Sequence, residues 1–253
     1  MKKLFFLFTV LVFLTQAHAQ NNTIFERATE AYNEGEFQKA IDFYQKILDN
    51  NQHSAALYFN LGNSYYKQGE IGSSIYYYEK ALLLEPNDAE IKNNLGYAKN
   101  MRLDAIEEMP ETAFARFYGI TVNYLSFESW AYLAVALMFL FVLSYIAYYL
   151  LQGSTQKRIA FITSLVAVSL CMVTTVFAYL QYEDFKKDNP AIIFAREIAV
   201  TAEPNQRSER IFTLHEGTKV NVLETLGDWQ KIKIADGQTG WLPSENLRIL
   251  KDF

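Results

Sequence analysis

Two long stretches without a charged side chain lie almost back to back in this sequence, at 129–156 and 159–182. A helix of about 20 apolar residues can cross a bilayer because it satisfies its backbone hydrogen bonds internally. The expected spans are 130–151 and 159–182, joined by 152–158. So short a connection forces an antiparallel transmembrane hairpin. Ser126, Glu128 and Trp130 mark a helix start: an N-cap hydroxyl, an acid in the first turn and an interfacial aromatic. Lys157 and Arg158 in the connection indicate the cytoplasmic side, although Lys186 and Lys187 beyond the second span weaken that asymmetry. Neither span contains Asp, Glu, Lys, Arg or His, the groups that mark proton relays and ion paths. Cys171, the only cysteine, reads as a small packing residue within the second span, and one cysteine excludes an intrachain disulfide.

At the N-terminus, Lys2 and Lys3 precede a mostly apolar run, 4–14, and then Ala17, His18 and Ala19. This pattern is a secretory signal peptide, 1–19, cleaved after Ala19; the other reading is an uncleaved anchor helix. Export of the N-terminal half places the segments on both sides of the hairpin outside the cytoplasm. The expected location is therefore a bacterial inner membrane, with two spans after cleavage and periplasmic soluble domains. The chain is acidic, with Lys+Arg 23 against Asp+Glu 28, and loses two more positive charges with the leader. Nucleic acid is not an expected partner.

Between the leader and the hairpin, residues 34 positions apart match repeatedly: Phe25 with Phe59, Tyr32 with Tyr66, Gly35 with Gly69, Ile41 with Ile75, Tyr44 with Tyr78. Together with Leu61, Gly62, Tyr65, Ala81 and Pro86, this period resembles the tetratricopeptide repeat, a helix–turn–helix unit. Small residues at Ala28, Ala40, Gly62 and Ala81 let paired helices approach, aromatics fill the spaces between hairpins, and Gly35 and Gly69 supply the turns. A third unit starts at Leu95 and Gly96 but has Lys99 where a large aromatic is expected. Segment 20–108 is thus read as two repeats plus a capping helix from 88 to 108.

The repeat register places Phe59, Asn60, Asn63, Tyr66 and Lys67 on a concave face, with Tyr32 and Asn33 one period earlier and Asn94 and Tyr97 one period later. These nine residues are the candidate protein-binding groove. Asn amides both donate to and accept from a peptide backbone, and Asn60 and Asn63 are expected to face the groove rather than the helix interface. The other reading is a solvated repeat face. The family's carboxylate-clamping version needs Lys or Arg where Phe25, Glu90 and Asn94 stand, so a chaperone tail is not the expected ligand.

Segment 109–129 is an aromatic juxtamembrane elbow, either interfacial or a packed connector. After a linker, 183–190, segment 191–253 alternates apolar and polar residues over five expected strands, 198–200, 211–214, 220–224, 229–234 and 239–242. Leu214 to Val220, Gly227-Asp228-Trp229, Asp236-Gly237 and Gly240-Trp241-Leu242 resemble the bacterial SH3 (SH3b) family and imply an all-β SH3-like barrel. Trp241 is expected in the core with Leu242 on the other face or at the edge; Trp229 is either structural or a ligand contact.

The fold class is therefore a multidomain membrane protein: an all-α tetratricopeptide helical-hairpin array, a transmembrane hairpin and a C-terminal SH3-like barrel. That order is similar to the BatE-like proteins of the Bacteroides aerotolerance operon. The resemblance implies a non-enzymatic inner-membrane scaffold whose envelope partners include von Willebrand A-domain proteins. A peptidoglycan-binding anchor acting through the SH3b domain is the alternative. An enzyme would need a constellation that His53, His215 and Cys171 do not make, and no metal or cofactor is expected.

Overall fold

The computed structural model describes residues 23–107, 109–110 and 112–252; the expected leader lies outside them. Two compact units form, one from the segments up to 108 and from 189 onward, the other from 109–188. Helical and β segments far apart in sequence therefore share one unit.

Five helices open the first unit: α1 (23–33), α2 (Phe37–Asp49), α3 (Ala55–Gln68), α4 (Ile71–Leu84) and α5 (Ala89–Asn100). Ser54 and Asp88 cap α3 and α5 by accepting from Leu57 N and Ile91 N. Gly35 and Gly69, both at φ +81°, close the α1–α2 and α3–α4 turns, as their matched positions anticipated. Tyr44, Tyr58 and Tyr78 are fully buried between the helices, and Tyr65 stacks on Tyr77 at 5.4 Å. Their hydroxyls have polar partners, for example Gln45 Nε2 donating to Tyr77 Oη at 2.6 Å.

Seven strands follow among the described residues: β1 (Pro190–Ile193), β2 (Glu197–Thr201), β3 (Arg210–His215), β4 (Lys219–Leu226), β5 (Trp229–Lys233), β6 (Thr239–Pro243) and β7 (Leu247–Ile249). They form one antiparallel sheet in the order β3-β2-β6-β5-β4-β1-β7. The five expected strands correspond to β2–β6. The additional strands β1 and β7 pair with each other, and the sheet is SH3-like but not closed. β1 escaped the alternation test because it is buried throughout its length. Ala191 and Ile193 enter the sheet core, whereas Ile192 joins the helical core with Leu250. A strand covered on both faces has a continuous apolar run.

In the second unit, α6 (Ala113–Thr121) and a 3₁₀ turn (Val122–Tyr124) precede α7 (Phe127–Leu150) and α8 (Ser154–Lys187). The last two are long and apolar enough to cross a membrane. Ser126 caps α7. Ala160, Ser164, Ala167, Cys171 and Thr174 form the buried stripe of α8, and the Cys171 thiol donates to Ala134 O on α7 at 3.4 Å. Small residues permit this close helix packing.

The connection is shorter than the expected 152–158, because α8 has already begun at Ser154 and includes Lys157 and Arg158. At its other end α8 continues through 183–187, most of the expected linker. Its polar ends contain no helix breaker until Pro190, which disfavours helix at Asn189. The capping helix is also shorter than expected, since α5 ends at Asn100 and the chain continues as an irregular strap to 107. The elbow is partly packed within its unit: Val122 is buried, and Phe127 meets Tyr182 and Phe185. α6 has no buried residue, and Phe114 and Phe117 are 75% and 64% exposed. Tyr118 Oη donates to Asp184 at 2.7 Å and Trp130 Nε1 to Val122 O at 2.8 Å, tying the elbow to α7 and α8.

Gly62 marks a close approach between α3 and α4. A Cβ there would lie 2.6 Å from Tyr78 Cδ1, on a ring that is 1% exposed. Gly→Ala within an exposed helix ordinarily stabilises by about 1 kcal/mol. Here the sign reverses: Gly62→Ala is expected to destabilise by about 1–3 kcal/mol through overpacking, read as a lower melting temperature of the full chain in detergent.

Candidate functional site

The first helices of the hairpins, α1 and α3, and the following α5 line a concavity of about 480 Å³. All nine expected groove residues line it: Tyr32, Asn33, Phe59, Asn60, Asn63, Tyr66, Lys67, Asn94 and Tyr97. Thr29, Tyr78 and Glu90 complete the wall. One cation, Lys67, and one anion, Glu90, stand among these lining residues, and the remainder are amides, hydroxyls and aromatic rings. Such a surface offers hydrogen bonds and apolar contact with little net field.

Asn63 does not simply face the groove. Its Oδ1 accepts from Tyr78 Oη at 2.6 Å and from Asn94 Nδ2 at 2.9 Å, joining α3, α4 and α5 across the floor. Asn60 lies at the Tyr44 phenol, which also meets Thr29 Oγ1 at 3.1 Å. Replacing Asn63 would therefore disturb the floor as well as any ligand contact. Asn33, Lys67, Glu90 and Tyr97 are the exposed members of the wall. Phe25, at a clamp position, packs edge-on against Tyr44 with ring centroids 5.4 Å apart.

Behind the groove, α4 meets the β segment. Glu79 projects from α4 with its side chain 7% exposed, and Lys99 of α5 and Lys219 of β4 each reach it at 2.7 Å. Burial would raise the carboxyl pKa, but Lys219 and then Lys99 outweigh burial and hold it below the ordinary 4.5. Lys99 thus replaces the expected aromatic with an ion pair. Lys80, also buried, pairs with Asp252 and lies 4.9 Å from the Tyr58 ring and 5.3 Å from Tyr76. Tyr76 Oη donates to Asp252 Oδ2 at 3.0 Å.

The strap after α5 supplies a second tie. Asp104 Oδ2 accepts from His215 N at 2.7 Å and Thr218 Oγ1 at 2.6 Å, while Oδ1 meets His215 Nδ1 at 2.6 Å. Burial raises the Asp104 pKa, and the Thr218 and His215 hydrogen bonds more than reverse it, to below the ordinary 3.8. The adjacent turn requires glycine: Gly217 has φ +81°, and a Cβ would meet Ile75 Cδ1 at 2.9 Å. His53 Nδ1 meets Tyr58 Oη at 2.6 Å. Among the described residues, no group of three or more His, Cys, Asp or Glu could hold a metal.

On the sheet, Leu242 is fully buried in the core cluster. Trp241, the expected core residue, is buried outside that cluster, with Lys231 Nζ 5.9 Å from its ring. Alternation along β6 separates the two side chains. Trp229 is half-buried and pairs across the sheet with Leu226 and Pro243.

Two segments of the chain match family models. The tetratricopeptide repeat family model matches residues 55–88, which are α3, α4 and the turn after them. The bacterial SH3 domain model matches residues 199–248, leaving β1, Leu250 and Asp252 outside the match. No curated protein matches the chain. Some residues that fasten sheet to helices, Ile192, Leu250 and Asp252, thus flank the matched SH3 segment, whereas His215, Thr218 and Lys219 lie within it.

Both depressed carboxylates contribute stability that is present above their ordinary pKa values and lost as pH falls through the lower folded values. Acidification below about pH 4 should loosen α4 from α5 and β4 and the strap from the β3–β4 turn, giving a falling melting temperature and faster amide exchange in those segments. Glu79→Gln should cost about 1–2 kcal/mol near neutrality, because Lys99 and Lys219 lose their shared anion but are exposed enough to turn to solvent, and should flatten the acid limb of the melting profile.

Proposed function

We propose that this protein is a non-enzymatic inner-membrane scaffold, with both soluble modules periplasmic and the repeat groove holding an extended segment of a partner. The observation that carries the reading is the groove, where amide and aromatic side chains from three successive helices meet around one concavity. Peptide backbones need paired donors and acceptors, and Asn side chains supply both on one group. The BatE-like resemblance directs the proposal toward other Bat proteins, including von Willebrand A-domain partners.

The shared unit supports the two-span topology. The helices and the sheet have a common core, and the chain leaves that unit near 108 and re-enters it at 189. A segment inserted between two halves of one folded body must cross a bilayer an even number of times. α7 and α8 satisfy that requirement. The half-buried Trp229 beside the Gly227-Asp228 turn supports the alternative of a wall-binding SH3b domain.

A photocrosslinker at Tyr97, which is 65% exposed in the groove, should yield a discrete membrane-protein adduct in intact cells. The same group at exposed Ala56, outside the groove, should not. Equal labelling, or none at Tyr97, would reject the groove; retention on purified cell wall that depends on Trp229 would favour the alternative. For topology, Arg207→Cys in a Cys171→Ser background should react with an impermeant maleimide before the inner membrane is opened. Reaction only afterwards would overturn the periplasmic placement.

A further inference from the structure

We propose that the turn end of the α7–α8 hairpin is a binding site for the phosphate headgroup of an anionic phospholipid. The inference rests on the membrane reading of α7 and α8. A cavity of about 460 Å³ opens there, lined by Tyr148, Gln152, Ser154, Lys157, Arg158 and Phe161. Its chemistry is divided along its walls. Tyr148 and Phe161, on opposing helices, bring their rings to 5.9 Å, and Lys157 Nζ lies 6.0 Å from the Tyr148 ring. Gln152 and Ser154 add an amide and a hydroxyl, and Arg158 a second fixed positive charge with a planar donor fork.

No acidic side chain lines the cavity, so the two positive charges have no carboxylate counterpart within it. A phosphodiester provides the missing anion. Its oxygens match guanidinium and ammonium donors. The aromatic walls continue into apolar α7 and α8, whose outward residues, including Leu165, Val166 and Leu143, are uncovered by protein. A ligand that fits both parts has a charged phosphate and attached hydrocarbon chains. Free phosphate would satisfy only the cationic wall, whereas an acyl chain without a headgroup would satisfy only the remainder. Basic pockets between membrane helices recognise anionic headgroups by this combination.

Three measurements test the site. Carbonate extraction first asks whether the full chain is membrane-integral; release into the soluble fraction would overturn the membrane reading itself. Native mass spectrometry from nanodiscs containing equal phosphatidylglycerol and phosphatidylcholine then measures retained lipid. The wild type should retain phosphatidylglycerol preferentially, and Lys157→Gln with Arg158→Gln should reduce the preference about tenfold, whereas Lys186→Gln with Lys187→Gln at the opposite end should not. The charge-preserving swap Lys157→Arg with Arg158→Lys should keep it. Unchanged preference in the first double variant, or equal loss in the second, would overturn the inference while leaving a membrane-integral chain intact. Displacement of the lipid by inorganic phosphate alone would assign the cavity to a soluble anion and overturn the lipid proposal.

Discussion

In β1, successive side chains enter different cores: Ala191 and Ile193 pack into the sheet, and Ile192 packs among the repeat helices. Neither face of this strand is left to solvent. The groove-forming helices and the SH3-like sheet are consequently parts of one folded body. Around the apolar seam, Glu79 between Lys99 and Lys219, and Asp104 beneath the His215–Thr218 turn, fix the register of the two surfaces. Buried ion pairs contribute little net stability compared with apolar packing, but removing one partner is costly.

This arrangement changes what capping the repeat array means. A terminal repeat must hide its apolar flank, and an additional polar helix is the usual way to do so. Here α5 covers part of α4, and β1 with Leu250 covers another part, while Tyr76 and Phe194 bring their rings to 5.5 Å at the seam. Lys80 and Asp252 close the edge. A partner held in the groove would therefore bind a surface whose rear face is already braced by the sheet. Asn63, which joins α3, α4 and α5 on the groove floor, lies between those two faces.

The second unit, with its two helices long and apolar enough to cross a membrane, follows simpler physics. A stripe of small residues on α8 allows α7 to approach, and the outward surfaces remain apolar. One end has the aromatic elbow, with Phe114 and Phe117 uncovered and Tyr118 tied to Asp184; the other has Lys157 and Arg158 around an aromatic-lined cavity. Both ends combine aromatic and basic side chains, since Lys186 and Lys187 close α8 on the elbow side.

Features governed by local periodicity were legible in the sequence. The 34-residue spacing located the turns at Gly35 and Gly69 and the groove residues from Tyr32 to Tyr97, because a helical repeat returns the same face at the same interval. Charge-free runs marked the two apolar helices, and glycine-aspartate turns marked the central strands. Three decisive features were not legible, and each depends on a partner distant in sequence. β1 lacks alternation because two cores cover it; Lys99 looked like a defect until Glu79 and Lys219 surrounded the same site; Asp104 carried no local mark of its bonds to His215 and Thr218. The sequence by itself determined the repeat helices, the two apolar helices, most of the strands and which residues share the concave face, since those depend on residues a few positions apart. Only the tertiary structure decided that repeats and sheet form one body, because the pairing of buried charge and the sharing of a strand arise when segments on either side of the hairpin meet.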